Sequence, residues 1–428
     1  MAEITPNHPD YGLNQQIRQG VAALDAQYAR IGAGYDVYGS IYKDSANAPA
    51  SQLIQVWSAG NGSGAVAGIT AALPRWKPEI EPYWLAVANV RQPNTANGET
   101  DYVINAGSSI CGAAANWCIS APGTAILSTI VSGDIQGRLE KTADYVRLLI
   151  DSQNPTYDYG LKTGTSMAAP HITGALGLLM ERFPYLDNAQ VRDVLLTTAR
   201  DLGAAGVDPI YGWGMVDLRR AIEGYGSLRV DTNVVMNQRA GGLKVWEGDA
   251  WDDWTNDIGG PGTLTKSGIG WLRLSGDNSF NGAVLREGTL ELNGSNTLTS
   301  AVDVQGGRFL LNGSLVSTAL TTTGGVSTVS ASGVLKDGNL TVNGGVVSFN
   351  GMQTGGTTTV GSNGLLKGIG TLGSTRVDGT IAPGNSIGTL TINGDYQWMW
   401  WADIALSAMA ALINLPIKEA PIVKLQAA

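Results

Sequence analysis

Hydrophobic positions in the first half of the chain recur at helical spacing in some stretches and form short continuous runs in others. Val21–Ile31 spells a helix with Leu24, Tyr28 and Ile31 on its inward side. Gln52–Trp57 and Pro82–Val90 are apolar runs of strand length, and a third run from Cys118 closes at Gly123 and leads on to Ala125, Ile126 and Leu127. Behind Ser166, the residues Ile172, Leu176, Leu179 and Met180 recur at helical spacing, and Met167, Ala168 and Ala169 are small or apolar, which suits a helix lying deep against a sheet. Pro170 is read as falling in the first turn, where a missing N–H costs little. Asp187 and Gln190 form a capping box that opens another helix through Val191, Val194, Leu195 and Thr198. The segment Gly212–Asp217 then leads into a short closing helix. Strands alternating with helices imply an α/β unit with a mostly parallel sheet over residues 1–225.

From about residue 226 the period changes. Charged residues thin out, and a short string with alternate apolar residues ending in Asn-Gly recurs at Gly288–Gly294, Gly307–Gly313, Gly338–Gly344 and Gly388–Gly394. The first spacing is roughly 20 residues and the later ones are longer, as in coils of a parallel β-helix with loop insertions. Asn-Gly also suits two-residue hairpins, so an up-and-down sheet is the alternative. Residues 226–395 are read as the β-helix, and 396–428 as a separate tail. From Gln397 to Leu415 that tail is apolar with helical texture; Asp403 interrupts it, and it looks like a degenerate ending rather than a membrane anchor.

Composition sharpens this picture. Among 428 residues there are 58 glycines, about twice average usage, and 15% charged residues, well below the usual quarter, which points to a repetitive, turn-rich architecture. A formal charge of −9 argues against nucleic acid or an anionic membrane as partner. Met1–Gly12 has neither the basic nor the apolar stretch of a signal peptide, so none is expected there. Cys111 and Cys118 are the only cysteines; they read as a small disulfide-closed loop made in an oxidising compartment, or else as two buried thiols. Neither a zinc site nor any other metal or cofactor site is expected.

The most chemically specific stretch runs from Gly164 to Gly174 and contains Gly-Thr-Ser-Met-Ala-Ala-Pro-His. A serine at the mouth of a helix gains from unpaired backbone N–H groups and the local positive potential. This string resembles the serine motif of the subtilisin-like serine proteases (subtilases, peptidase S8). The order of the surrounding pieces does too, over roughly residues 50–223: the Ala-Gly-Asn strand end at Ala59–Asn61, a Leu-Ala-Val-Ala strand, an Ala-Pro-Gly loop, and finally the Gly-x-Gly-Met-Val-Asp segment. The resemblance implies Ser166 as nucleophile, Asn61 as side-chain donor of the oxyanion hole, and Ser58, Ala59 and Gly60 along one wall of the pocket for the residue before the scissile bond. Leu264–Gly282 and Gly379–Leu390 resemble the passenger repeats of bacterial autotransporters. Together these imply an autotransporter-type subtilase, a partial α/β catalytic unit followed by an all-β parallel β-helix, acting on protein or peptide substrates at the cell surface, in the outer membrane or outside the cell. In that family a translocator barrel follows the passenger, and no alternating strands for one are read after Tyr396.

Serine hydrolysis also needs a base. Only His8 and His171 exist. His171 lies about 140° around the helix from Ser166 and matches the family's structural histidine in this motif. His8 sits in a turn sequence too close to Asp10 for one to orient the other. The family's Asp-Thr-Gly and His-Gly-Thr segments do not occur, so the chain is expected to begin after both and to be nearly inert. The competing readings are a surface adhesin whose β-helix is the working part and a product of a decayed gene. Asp249, Asp252, Asp253 and Asp257, interleaved with Trp246, Trp251 and Trp254, read as a solvated acidic turn, with calcium binding as the alternative. An apolar helix face and a free sheet edge are expected to remain uncovered.

Overall fold

The computed structural model describes residues 11–35, 53–141, 146–237, 241, 250–386, 388–398, 403–404 and 423–426. The chain divides into two compact units. One holds the chain up to Ala175 with Ala199–Val216; the other holds Leu176–Thr198 with everything from Asp217 onward.

In the first unit, helix α1 (Tyr11–Ile31) precedes a sheet of β1 (Gln55–Ser58), β2 (Trp84–Arg91), β3 (Val103–Ile104) and β4 (Cys118–Pro122). Strand β2 pairs in parallel with β1 and β4 and antiparallel with β3. Its apolar run is buried from Trp84 to Val90, as expected of a strand covered on both faces. Helix α1 begins ten residues before the predicted start. Leu24 is buried and the Tyr28 ring stacks on Trp76 at 4.2 Å, but Ile31 is 41% exposed because the helix ends there. Arg75 and Trp76 both donate to the Asp25 carboxylate, fixing the helix to the loop before β2.

A long antiparallel hairpin, β5 (Ile126–Lys141) and β6 (Val146–Lys162), separates β4 from the serine helix. Pairs such as Leu127↔Leu161 and Val131↔Tyr157 place apolar side chains on a solvent-facing surface. The alternation that normally marks an inward face therefore marks no core here.

Helix α2 (Thr165–Arg182) buries Ala168, Ile172, Leu176 and Leu179, and leaves Met180 half-buried. Pro170 lies inside this helix rather than in its first turn, because the helix already starts at Thr165. The Ser166 carbonyl thereby loses its intrahelical donor. Gly164 closes the start by accepting from the Met167 amide at 3.0 Å and the Ala168 amide at 3.3 Å.

The second unit contains the rest of α2, α3 (Asn188–Thr197), α4 (Leu218–Ala221) and a parallel β-solenoid. Asp187 and Gln190 form the reciprocal capping box at the start of α3, and Val191, Val194, Leu195 and Thr198 are all buried. The solenoid has three faces, two 9-stranded sheets and one 7-stranded sheet. Its pairs are parallel and in register, as in Val302↔Leu320↔Leu340↔Thr358, with a coil of about 20 residues. The exception is Val423–Gln426, antiparallel to Thr389–Ile392. An inward column of Leu290, Phe309, Ser327, Val347 and Leu366 stacks through the core, apolar except at Ser327. Two of the solenoid's interior polar pairs satisfy one another: the Asn278 amide donates to Asn296 Oδ1 at 2.7 Å, and Thr322 and Ser327 share a hydrogen bond of 2.7 Å.

The recurring strings do not mark one structural position. Gly288–Gly294 and Gly307–Gly313 cover stacked strands of one sheet, Gly338–Gly344 a strand of a second, and Gly388–Gly394 a strand of the third. Asn-Gly serves any corner where a strand must turn. The true periodic column is Gly288, Gly307, Gly325 and Gly345, all with φ between 65° and 70°. A Cβ on Gly307 would stand 2.5 Å from the Gly288 carbonyl oxygen.

Asp249, Trp246, His8, Asp10 and most of the apolar tail lie outside the described residues. Within the stretch read as helical, Gln397 and Trp398 belong to the strand Tyr396–Trp398 and Asp403–Ile404 is a strand; Val423–Gln426, beyond that stretch, is a strand as well. Among the described residues no helix is long and apolar enough to cross a membrane, and no group of three metal-binding side chains occurs.

Candidate active site

The site lies where β1 ends and α2 begins. Ala59 continues the parallel ladder by donating to the Val87 carbonyl at 2.9 Å, and Gly60 then turns the chain with φ 119°. A Cβ on Gly60 would come within 3.0 Å of the Ser109 hydroxyl, so the turn needs glycine on both counts. The Gly60 carbonyl accepts from the Ser109 amide at 2.8 Å and that of Ala59 from Gly68 at 2.9 Å. The backbone of Ser58, Ala59 and Gly60 is thereby held as a fixed wall, with Asn61 at its exposed end.

Asn61 is joined to the serine turn. Its Oδ1 accepts from the Thr165 amide at 2.8 Å and from the Thr165 hydroxyl at 3.0 Å. That hydroxyl in turn accepts from the Gly60 amide at 3.2 Å. With Oδ1 engaged by two donors the amide orientation is set, and Nδ2 is the group left to donate. Ser166, the next residue, is exposed while Thr165 is fully buried.

The Ala-Pro-Gly loop reaches the same turn. The Gly123 carbonyl accepts from the Gly164 amide at 2.9 Å. Asn89, buried in the apolar run of β2, accepts from the Thr124 hydroxyl at 3.1 Å, and that hydroxyl accepts from Asn105 Nδ2 at 2.9 Å. Neither Thr165 nor this Asn89–Thr124–Asn105 chain figured among the site residues read from the sequence. A polar residue within the apolar run Trp84–Val90 was the available signal for Asn89.

His171 is exposed, and its Nδ1 lies 2.8 Å from the Met167 carbonyl of its own helix. Among the described residues no imidazole is bonded to Ser166. Cys111 and Cys118 are both buried and joined by a disulfide, which closes the short turn before β4. Asp252 does not belong to a solvated turn. It is a fully buried residue of the strand Trp251–Trp254, paired with Arg182. Its strand neighbours alternate inward and outward, which places Asp253 on the opposite, partly exposed side.

The subtilase family profile matches residues 26–214. Serotype-specific antigen 1 of Mannheimia haemolytica is 32% identical over 66% of this chain and 28% of its own length. An extracellular serine protease of Serratia marcescens is 36% identical over 52% of this chain and 23% of its own. The autotransporter lipoprotein NalP of Neisseria meningitidis serogroup B is 29% identical over 64% and 23%. The chain thus spans about a quarter of the length of these curated relatives. Among solved structures, fervidolysin from Fervidobacterium pennivorans, a keratinolytic enzyme related to subtilisin, is 28% identical over 44% of this chain and 25% of that one, with a TM-score of 0.31. Residues 26–214 are therefore a subtilase-family (peptidase S8) segment, followed in the same chain by a parallel β-solenoid.

Proposed function

We propose that Ser166 is the acylating nucleophile of a subtilisin-like serine endopeptidase that works on protein or peptide substrates at the cell surface or outside the cell. The observation that carries this reading is the double hydrogen bond from Thr165 to Asn61 Oδ1, which leaves Nδ2 to serve an oxyanion beside Ser166. In acyl transfer the serine oxygen attacks the scissile carbonyl and yields its proton to a base. The C–N bond then breaks as the base returns that proton to the leaving amine, and water hydrolyses the acyl-enzyme. Asn61 Nδ2 and the Ser166 backbone N–H are the two donors for the negative oxygen. Ser58, Ala59 and Gly60 form a wall for the residue before the scissile bond. Relatives named as an extracellular protease and an autotransporter lipoprotein support the location, and with it a translocator barrel as the means of export.

Turnover by this chain alone is slow, because the one described imidazole is turned to its own helix. The division of labour in the chain follows residues 1–225 as peptidase segment, 226–395 as passenger repeats and 396–428 as tail. A fluorophosphonate probe tests the assignment in the full chain with and without added imidazole, which supplies a diffusible base. The expected result is slow labelling in buffer, faster labelling with imidazole, and none in Ser166→Ala. Rapid stoichiometric labelling without imidazole would overturn the inertness; absence of labelling with imidazole would overturn the nucleophile.

A further inference from the structure

The parallel ladder between β1 and β2 stops at Ala59. Continued by one step, it would have the Ala59 carbonyl accept from the Asn89 amide. Gly68 occupies that carbonyl instead, at 2.9 Å, and the Asn89 amide donates to the Ser108 hydroxyl at 3.1 Å. The same hydroxyl donates to the Ser109 carbonyl at 2.9 Å, and the Ser109 amide donates to the Gly60 carbonyl at 2.8 Å. The backbone of Asn89 is thus joined to the wall that carries Asn61.

Its side chain serves the serine turn. Asn89 is 1% exposed, and its Oδ1 accepts from the Thr124 hydroxyl, which is held in turn by Asn105 Nδ2. The Asn105 amide closes that branch by donating to the Asn89 carbonyl at 2.9 Å. Gly123 lies between Asn89 and the turn: a Cβ there would stand 2.7 Å from Asn89 Oδ1 and 2.7 Å from the Gly164 carbonyl oxygen. Gly123 also accepts from the Gly164 amide at 2.9 Å. Asn89, Gly123 and Gly164 are therefore layered with no room for another side chain.

A residue bonded on one side to the wall and on the other to the turn fixes the distance between them, and a satisfied buried network holds one geometry. Misplacing a reacting group by about 1 Å can cost about 10²-fold in rate. We propose that Asn89 is a positioning residue for Ser166: it sets the separation between the oxyanion wall at Gly60 and Asn61 and the nucleophile turn from Gly164 to Ser166. Every bond in this circuit lies within the first compact unit. An apolar residue at position 89 would suit the strand as well, but would leave the Thr124 hydroxyl without its acceptor. This rests on Ser166 being the nucleophile.

Imidazole-assisted fluorophosphonate kinetics and hydrogen exchange, both on the full chain, test it. Asn89→Ala and Thr124→Val should each lower the limiting rate of Ser166 labelling by about tenfold or more, with the probe concentration for half-maximal rate unchanged within about twofold. Each should also speed exchange of the Gly164 amide by about tenfold, while the Ala59 amide on the β1–β2 ladder keeps its protection. The double variant should do no more than the stronger single one. Thr124→Ser, which keeps the hydroxyl, should return both readouts to those of the unsubstituted chain. Thr124→Val leaves the sheet itself untouched and carries the test if Asn89→Ala does not fold. Unchanged labelling and Gly164 exchange, or protection lost equally at Ala59 and Gly164, would overturn the proposal. Labelling absent in every protein, with Gly164 exchange changed as expected, would instead remove the nucleophile reading.

Discussion

Asn61 and Thr165 are 104 residues apart in sequence, yet two hydrogen bonds join them. One comes from the threonine backbone and one from its hydroxyl, so the two can be separated by mutation. Asn61→Ala should lower imidazole-assisted labelling of Ser166 by about 10²–10³-fold, the range for loss of an oxyanion donor; that range was measured in subtilisin, the namesake of this family, and is borrowed from it. Thr165→Ala keeps the backbone bond but loses the hydroxyl's bonds to Asn61 and from Gly60, and should cost about thirtyfold, the worth of two ordinary hydrogen bonds. Probe kinetics on the two variants check the order.

The Cys111–Cys118 disulfide closes a short loop with a sequence separation of 7. Chain entropy assigns a loop of that length about 2–3 kcal/mol. Replacing both cysteines by serine should lower the melting transition of the α/β unit and leave that of the solenoid in place. Calorimetry on the full chain would separate the two transitions, and a shift in the solenoid transition alone would contradict the assignment.

What the sequence revealed follows from how local each signal is. The capping box of Asp187 and Gln190 spans one turn, and the structure has it at the expected residues. The serine helix and its apolar face were equally local. The Arg182–Asp252 pair joins residues 70 apart, and nothing in an isolated acidic cluster announces its partner. The β5–β6 hairpin escaped notice because its Leu127, Tyr157, Tyr159 and Leu161 face solvent, so apolarity carried no burial signal. The repeating strings announced a solenoid but not their faces, since the same turn chemistry serves each corner.

At Gly307, φ is 65° and the preceding coil leaves no room for a Cβ. Gly307→Ala should destabilise the solenoid by about 2 kcal/mol or more, combining left-handed strain with a backbone collision. Val326→Thr, in the next coil and 40% exposed, should change stability by less than about 0.5 kcal/mol. Thermal melts of the two variants provide the comparison.

Lys266 is fully buried and donates to the carbonyls of Ser267, Gly268 and Glu287. Burial pulls its ammonium down to about 8. Between that value and the ordinary lysine range near about 10.4, the unfolded chain holds a proton that the folded one has released. Stability from this group therefore rises as pH climbs from about 8 to about 10 and is flat below. The melting midpoint of Lys266→Met should lack that rise relative to the unsubstituted chain; an identical pH profile for both would refute the account.

Successive coils of the solenoid pair residue for residue, Val302 on Leu320 on Leu340 on Thr358, and each adds one interstrand step. Such a stack behaves as a ruler graduated in increments of about 4.8 Å. Duplicating or deleting a whole coil would lengthen or shorten it by one graduation, with every neighbouring ladder restored. The solenoid's length is thus set by the number of its coils.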